Sequence, residues 1–202
     1  MSDHYYTNTP SAKHQLDKWQ YQLRNKTFTF YTDSGVFSKK TVDFGSRLLI
    51  EILDFEGLVS GNILDVGCGY GPMGLAVAKE NPERTVEMVD VNLRAIELAT
   101  KNAIENQLFN TNIHESSVYE QVAGESFALI ISNPPIRAGK KVVHAILEGA
   151  YQLLAVGGKL VIVIQKKQGA PSAQQKMADT FGNAEIIKKD KGYFIIESVK
   201  ES

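Results

Sequence analysis

Asp65-Val66-Gly67-Cys68-Gly69-Tyr70-Gly71-Pro72-Met73-Gly74 is the stretch on which the fold turns. It follows a short apolar run over 62–66 and leads into Leu75-Ala76-Val77-Ala78. The run before it reads as a strand. Pro72 fits the first turn of a helix reaching to about residue 80. The glycines between them tolerate positive φ and let backbone approach a ligand closely. A strand, a glycine turn and a helix make the opening unit of an α/β layered fold.

The alternation continues on both sides. Before the glycine turn, helical spacing spans 43–55. After it, strands are expected at 85–89, 111–114, 127–132 and 159–165. Helices are expected at 93–106, at 142–154 (closed by Gly157-Gly158) and at 173–181. Two closing strands, 184–188 and 193–199, flank a hairpin turn at Lys191-Gly192. The strand cores are runs of Val, Ile and Leu, as in parallel strands buried on both faces. In such sheets ligands sit beyond the carboxyl ends of the strands. Three motifs lie there: the glycine turn, Asp90-Val91-Asn92 and Asn133-Pro134-Pro135. The polar first thirty residues, with Tyr5, Tyr6, Trp19, Tyr21 and Phe28 scattered through them, read as an extension (1–30) packed on a main domain (31–202).

The chain has 202 residues, with 22 Lys+Arg against 23 Asp+Glu, 43% hydrophobic and 22% charged residues. That supports one compact core and excludes a mainly disordered chain. Cys68 is the only cysteine, which excludes a disulfide framework and multi-thiolate zinc. No apolar run approaches a membrane span, and the polar N-terminus lacks a signal-peptide core. A cytoplasmic protein without membrane or metal partners is expected. With net charge −1, a nucleic-acid partner has to meet a local basic patch. The candidates are Lys39-Lys40, Arg137 with Lys140-Lys141, and Lys166-Lys167, all near predicted strand ends.

Gly69-x-Gly71-x-x-Gly74 also fits the dinucleotide pattern, so an NAD-dependent oxidoreductase is a competing reading. A phosphate-binding P-loop is not, because Leu75-Ala76 follows Gly74. Asp65 tips the balance. A pyrophosphate on this turn would face its carboxylate, against the attraction of the helix N-terminus. S-adenosylmethionine carries an ammonium and a sulfonium and no phosphate, so an acid beside the turn favours it. Asp90, at the end of the next strand, can accept hydrogen bonds from ribose hydroxyls. Cys68 reads as a small residue tolerated in the turn. His114 and His144 have no partner at metal-ligand spacing.

Asn133-Pro134-Pro135 closes a strand with two fixed φ angles and two missing donors. Asn133 is itself pushed out of helical space by the proline after it. The stiff turn leaves backbone carbonyls and the Asn133 side-chain oxygen as acceptors. A planar amino group held by two such acceptors has its lone pair out of plane. It can then attack an electrophilic methyl, with catalysis coming from orientation and electrostatics.

On these motifs the sequence resembles the class I S-adenosylmethionine-dependent methyltransferases with an Asn-Pro-Pro turn. Gly35-Val-Phe-Ser-Lys39, Val42-Asp-Phe-Gly-Ser46 and Ile131-Ser-Asn-Pro-Pro135 with Gly139-Lys140 look most like the RsmC-type small-subunit ribosomal RNA guanine-N2 methyltransferases. The resemblance implies a three-layer Rossmann-like fold, with a mostly parallel seven-stranded sheet whose last strand is reversed. It implies that Asp65, Gly67 and Gly69 line the methionine end of the cofactor, that Asp90 holds the ribose and that Val91 belongs to the same cofactor site. Ser117-Val118 would lie by the adenine, with Phe37 covering the cofactor. Asn133 and Pro134, stiffened by Pro135, would grip the target amino group. Ile136, Arg137 and Lys140 would meet the substrate, ribosomal RNA or the small subunit. Relatives carry a second, non-catalytic domain, and this length is expected to hold only the catalytic half. Ile136 stands where many such enzymes have a stacking Phe or Tyr, and Ser117 where they often have Asp or Asn. Glutamine methyltransferases of release factors use the same turn and are the alternative, along with other N-methyltransferases of this type.

Overall fold

The structure is a computed structural model that describes residues 16–33, 40–124 and 126–202. Phe37 and Lys39, together with Tyr5 and Tyr6, lie outside the described residues.

The chain opens with two strands, β1 (Asp17–Leu23) and β2 (Lys26–Thr32), paired as an antiparallel hairpin. Helix α1 (Phe44–Ile52) follows, then β3 (Ile63–Val66) and α2 (Pro72–Glu80) around the glycine turn. Next come β4 (Val86–Asp90), α3 (Leu93–Glu105), β5 (Thr111–Glu115) and β6 (Phe127–Ser132). A short 3-10 turn, Ile136–Ala138, leads into α4 (Lys140–Leu153). The chain closes with β7 (Leu154–Gln165), α5 (Ala170–Phe181), β8 (Glu185–Asp190) and β9 (Tyr193–Val199).

The main sheet has seven strands in the order β5-β4-β3-β6-β7-β9-β8. Pairings from β5 through β7 are parallel, while β9 runs antiparallel to both of its neighbours. The reversed strand is thus the last in the chain, slotted between β7 and β8. This is the Rossmann-like arrangement that the sequence reading expects.

Successive residues of a strand face opposite sides, so each central strand contributes to two cores. Ile63, Leu129, Ile131, Val161 and Val163 pack on one side with Leu49, Ile50, Leu75, Ala95 and Ala99 from α1, α2 and α3. Leu64, Ile130, Leu160 and Ile162 face the other side, against Val143, Ile146, Leu147 and Met177 of α4 and α5. The result is three layers, helix on sheet on helix.

The hairpin β1–β2 was not legible as strands in the sequence. It packs on the first helical layer: Phe28 and Phe30 are buried, with stacked rings 5.8 Å apart. The Asn106 side chain of the α3 C-cap receives the Thr29 N–H at 2.9 Å and donates to the Thr29 carbonyl at 2.8 Å. One expectation about the second layer is corrected. The 142–154 helix is not closed by Gly157-Gly158: it ends at Leu153, and Leu154 already pairs with Phe127. The glycine pair makes an irregular step inside β7, where the Gly157 N–H donates to the Lys200 carbonyl and the Lys200 N–H to that of Gly158.

Candidate functional site

β3, β4 and β6 are neighbours, so their carboxyl ends bring together three motifs that are far apart in sequence. The glycine turn hangs from β4, since both Gly67 and Cys68 donate their N–H to the Val89 carbonyl, at 2.8 and 2.9 Å. The Ser132 hydroxyl at the end of β6 donates to the Val66 carbonyl at 2.7 Å. A Cβ on Gly67, which sits at φ 75°, would lie 4.0 Å from Pro135 Cδ. The glycine turn and the Asn-Pro-Pro turn are therefore in close apposition.

Asp65 is fully buried beneath the turn. Its Oδ2 accepts the Gly74 N–H at 2.8 Å. Gly71, the N-cap of α2, has no side chain to offer, so Asp65 supplies the missing cap from the preceding strand. Gly74 is held for a second reason: any Cβ there would meet the Met88 side chain at 2.7 Å. Asp65 Oδ1 is buried and has no hydrogen-bond partner among the described residues. Loss of hydration, and then the charge of Asp90, push this carboxyl up to about 7 against the pull of the Gly74 N–H.

Asp90 is buried as well, and both its oxygens accept backbone donors. Oδ2 takes the Gly69 N–H and Oδ1 the Asn92 N–H, each at 2.9 Å. Burial raises its ionisation range, while the N–H groups of Asn92, Gly69 and Val91 oppose the rise. A carboxylate has about four lone-pair positions, so each oxygen keeps acceptor capacity. Ser117 and Val118 are brought beside Asp90 by Ser116, whose N–H donates to the Asp90 carbonyl at 3.0 Å. The buried Ser116 hydroxyl donates to the Val118 carbonyl and accepts the Gln121 N–H. It holds Val118 at φ 52°, a strained conformation for a β-branched residue and of the kind that collects at ligand sites.

Asn133 is half-buried at the end of β6. Its Nδ2 donates to Asp43 Oδ2 at 3.2 Å and to Ser46 Oγ at 3.1 Å. Asp43 is the N-cap of α1, accepting the Ser46 N–H at 3.0 Å through the same oxygen. With both amide hydrogens directed at acceptors, the amide can point only one way. Asn133 Oδ1 accepts nothing from the described residues and remains an oriented acceptor. Ile136, Arg137 and Lys140 follow on the 3-10 turn and the start of α4, with Arg137 and Lys140 exposed.

Several supporting residues were missed in the sequence. Asp43 and Ser46 carry an N-cap signal, but their bonds to a side chain 90 and 87 positions away leave no local trace. Asn102 of α3 is buried and clamps two segments, donating to the carbonyls of Tyr70 and Tyr31 and accepting the Tyr31 N–H. Tyr70, inside the glycine turn, meets Phe30 edge-on at 5.5 Å and Trp19 at 6.1 Å. The hairpin aromatics thus brace the turn.

Other side chains that invite a nucleophilic or metal role do not support one. Burial pushes the Cys68 thiol well up, away from a nucleophilic thiolate. His114 Nε2 lies 2.8 Å from Glu87 Oε1. Among the described residues no group of His, Cys, Asp and Glu could hold a metal, and no helix is long and apolar enough to cross a membrane.

Comparison with known proteins gives four findings. The family described as "Methyltransferase small domain" matches residues 27–197. The Bacillus subtilis protein YbxB, described as uncharacterized, is 54% identical over 99% of this chain and all of its own. Ribosomal RNA small subunit methyltransferase C of Photorhabdus laumondii is 33% identical over 93% of this chain and 54% of its own length. Among solved structures, the T. thermophilus 16S rRNA N2 methyltransferase RsmC, in complex with AdoMet and guanosine, superposes with a TM-score of 0.83 at 25% identity. That match covers 95% of this chain and 52% of the other. The chain spans about half the length of these ribosomal RNA methyltransferases.

Proposed function

The chain belongs to the methyltransferase small-domain family, and from that premise we propose that it methylates the exocyclic N2 of a guanine in small-subunit (16S) ribosomal RNA. Use of S-adenosylmethionine comes with the family, which removes the NAD reading left open by the glycine pattern. The observation that carries the finer reading is the orientation of Asn133. Its Nδ2 is tied to Asp43 and Ser46, which leaves Oδ1 free to receive a donor.

The buried donor set fits the cofactor. Asp65 Oδ1 is an acidic oxygen under the turn with no partner among the described residues, suited to a cationic ligand and opposed to a phosphate. Asp65, Gly67 and Gly69 would hold the methionine end. Asp90 and Val91 would hold the ribose, and Ser117 and Val118 the adenine edge. S-adenosylmethionine supplies an electrophilic methyl group on a positive sulfur. The remaining work is done by this chain. Asn133 Oδ1 and the Pro134 carbonyl accept the two hydrogens of the base amino group. Pro135 keeps the turn from relaxing into a helix. Asp43 and Ser46 hold the Asn133 amide in register, so no reorganisation is needed as charge develops on the amino nitrogen. Ile136 offers an apolar contact to the base.

The relatives named for this activity support the choice of RNA, which would place the protein in the cytoplasm. Transfer of labelled methyl from S-adenosylmethionine to ribosomal RNA, to small subunits and to a release factor tests it. The expected result is label in RNA, recovered as N2-methylguanosine. Label in the release factor alone would refute it.

A further inference from the structure

Beside the acceptor turn the sheet carries a basic rim that the proposed chemistry does not use. Asp43, which holds Asn133, is followed by Phe44. The Phe44 ring has Lys191 Nζ 4.8 Å from its centroid and Arg47 Cζ at 5.4 Å. The Tyr193 ring lies 5.4 Å away, so Phe44 is a platform flanked by two cations. Arg47 also lies over Tyr21, at 5.9 Å, and its Nε is buried without a hydrogen-bond partner among the described residues. Lys191 is exposed in the β8–β9 turn. That turn is pinned to the carboxyl end of β7, where the Lys166 N–H donates to the Gly192 carbonyl at 2.8 Å. Lys166 and Lys167 are exposed at the same corner. None of these four cations has an ion-pair partner among the described residues, although Lys18, Lys26, Lys40, Lys159 and Lys176 do.

Four cations without an ion-pair partner among the described residues, at one corner of a nearly neutral chain, carry a repulsion that an anion would relieve. β7 is the neighbour of β6, and its end projects beyond Ser132, which pairs with Ile162. The corner thus flanks the Asn133 turn on the side away from the glycine turn. We propose that Arg47, Lys166, Lys167 and Lys191 form a phosphate-binding rim that holds the RNA backbone next to the nucleotide whose base enters the acceptor turn. This rests on the RNA reading above. Arg47 is pre-ordered by its two aromatic neighbours, while the three lysines act as mobile point charges. Contacts of this kind position the strand and carry no sequence information.

The test is the salt dependence of binding, measured by fluorescence anisotropy with a labelled fragment of small-subunit ribosomal RNA. The proteins are the wild type, Lys191→Gln and the triple variant Lys166→Gln/Lys167→Gln/Lys191→Gln. Each cation removed should lower the slope of log affinity against log salt by about one. Over a fourfold rise in salt the wild type should therefore lose ~60-fold more affinity than the triple variant. Lys191→Arg should keep the wild-type slope, and S-adenosylmethionine affinity should be the same in all four proteins, which shows that they fold. Wild type that binds RNA with a slope unaltered by the substitutions overturns the rim and leaves the RNA reading intact. Wild type that does not bind RNA overturns the RNA reading itself. Polyglutamate displacing the RNA at equal charge would also overturn the proposal, by assigning the corner to an acidic protein.

Discussion

Asp65→Asn separates the two parts played by a buried acid under the glycine turn. The asparagine oxygen can still cap α2 through the Gly74 N–H. What disappears is a carboxyl that ionises near 7 in the fold and near 3.8 when free. Holding that group as an anion inside the protein costs about 4 kcal/mol. The sign follows from the direction of the shift. Below 3.8 both states of the wild-type chain bind the proton and no penalty applies. As pH rises, the unfolded chain releases it first, so this group's contribution to stability falls steadily and levels off above 7. The variant lacks this dependence. Its stability relative to wild type should therefore be about 3 kcal/mol more favourable at pH 8 than at pH 5. For a domain of this size that is a relative shift of about 6–12 °C in Tm. Urea unfolding of both proteins without cofactor, at the two pH values, measures it. Any cost of placing an amide –NH2 where Oδ1 was is the same at both and cancels. A stability difference that does not change with pH would refute the reasoning. In S-adenosylmethionine titrations the order should reverse: if the Asp65 carboxyl meets the ammonium as proposed, the variant binds more weakly.

Four further outcomes are expected. Asn133→Ala should lose most of kcat with little change in cofactor affinity, and equal losses in both would contradict its assignment to the acceptor. Asp43→Ala and Ser46→Ala should each lower kcat about ten- to a hundredfold. Neither should add much in an Asn133→Ala background, and full additivity in that double-mutant cycle would break the positioning argument. Asp90→Ala should raise the Kd for S-adenosylmethionine, and an unchanged Kd would remove the ribose role. Gly74→Ala should destabilise the fold by about 1–3 kcal/mol, because the new Cβ collides with Met88; a neutral result in denaturant unfolding would show that α2 shifts freely.

Much of the fold was legible because burial on both faces of a parallel strand leaves a local record. FALIIS and KLVIVIQ name their strands, and Pro72 marks the start of α2 where the structure has it. The hairpin left a fainter trace. Its strands alternate Trp19, Tyr21, Leu23 and Phe28, Phe30, Thr32 with polar residues, which dilutes the composition. Its turn is Arg24-Asn25, at φ 47° and 59°, without the glycine that usually signals such a turn. The Asp65, Asp90 and Asn133 motifs were visible because each sits at a strand end. Their supports were not. Asp43 reaches Asn133, Asn102 reaches Tyr70, and Lys191 reaches Phe44 only after the chain has folded. Ser116 was hidden for another reason: next to a flexible-looking Ser-Val pair, nothing local shows that its hydroxyl fixes the backbone of Val118.

The claim that the rest depends on is that Asn133 Oδ1 and the Pro134 carbonyl hold the 2-amino group of a guanine. A small-subunit ribosomal RNA that is methylated by the protein, and the same RNA with the modified guanine replaced by inosine, differ in that group alone. Efficient methyl transfer to the first is expected, none to the second, and only modestly weaker binding of the second, since the backbone contacts remain. Methylation of the inosine RNA at the same position would contradict it.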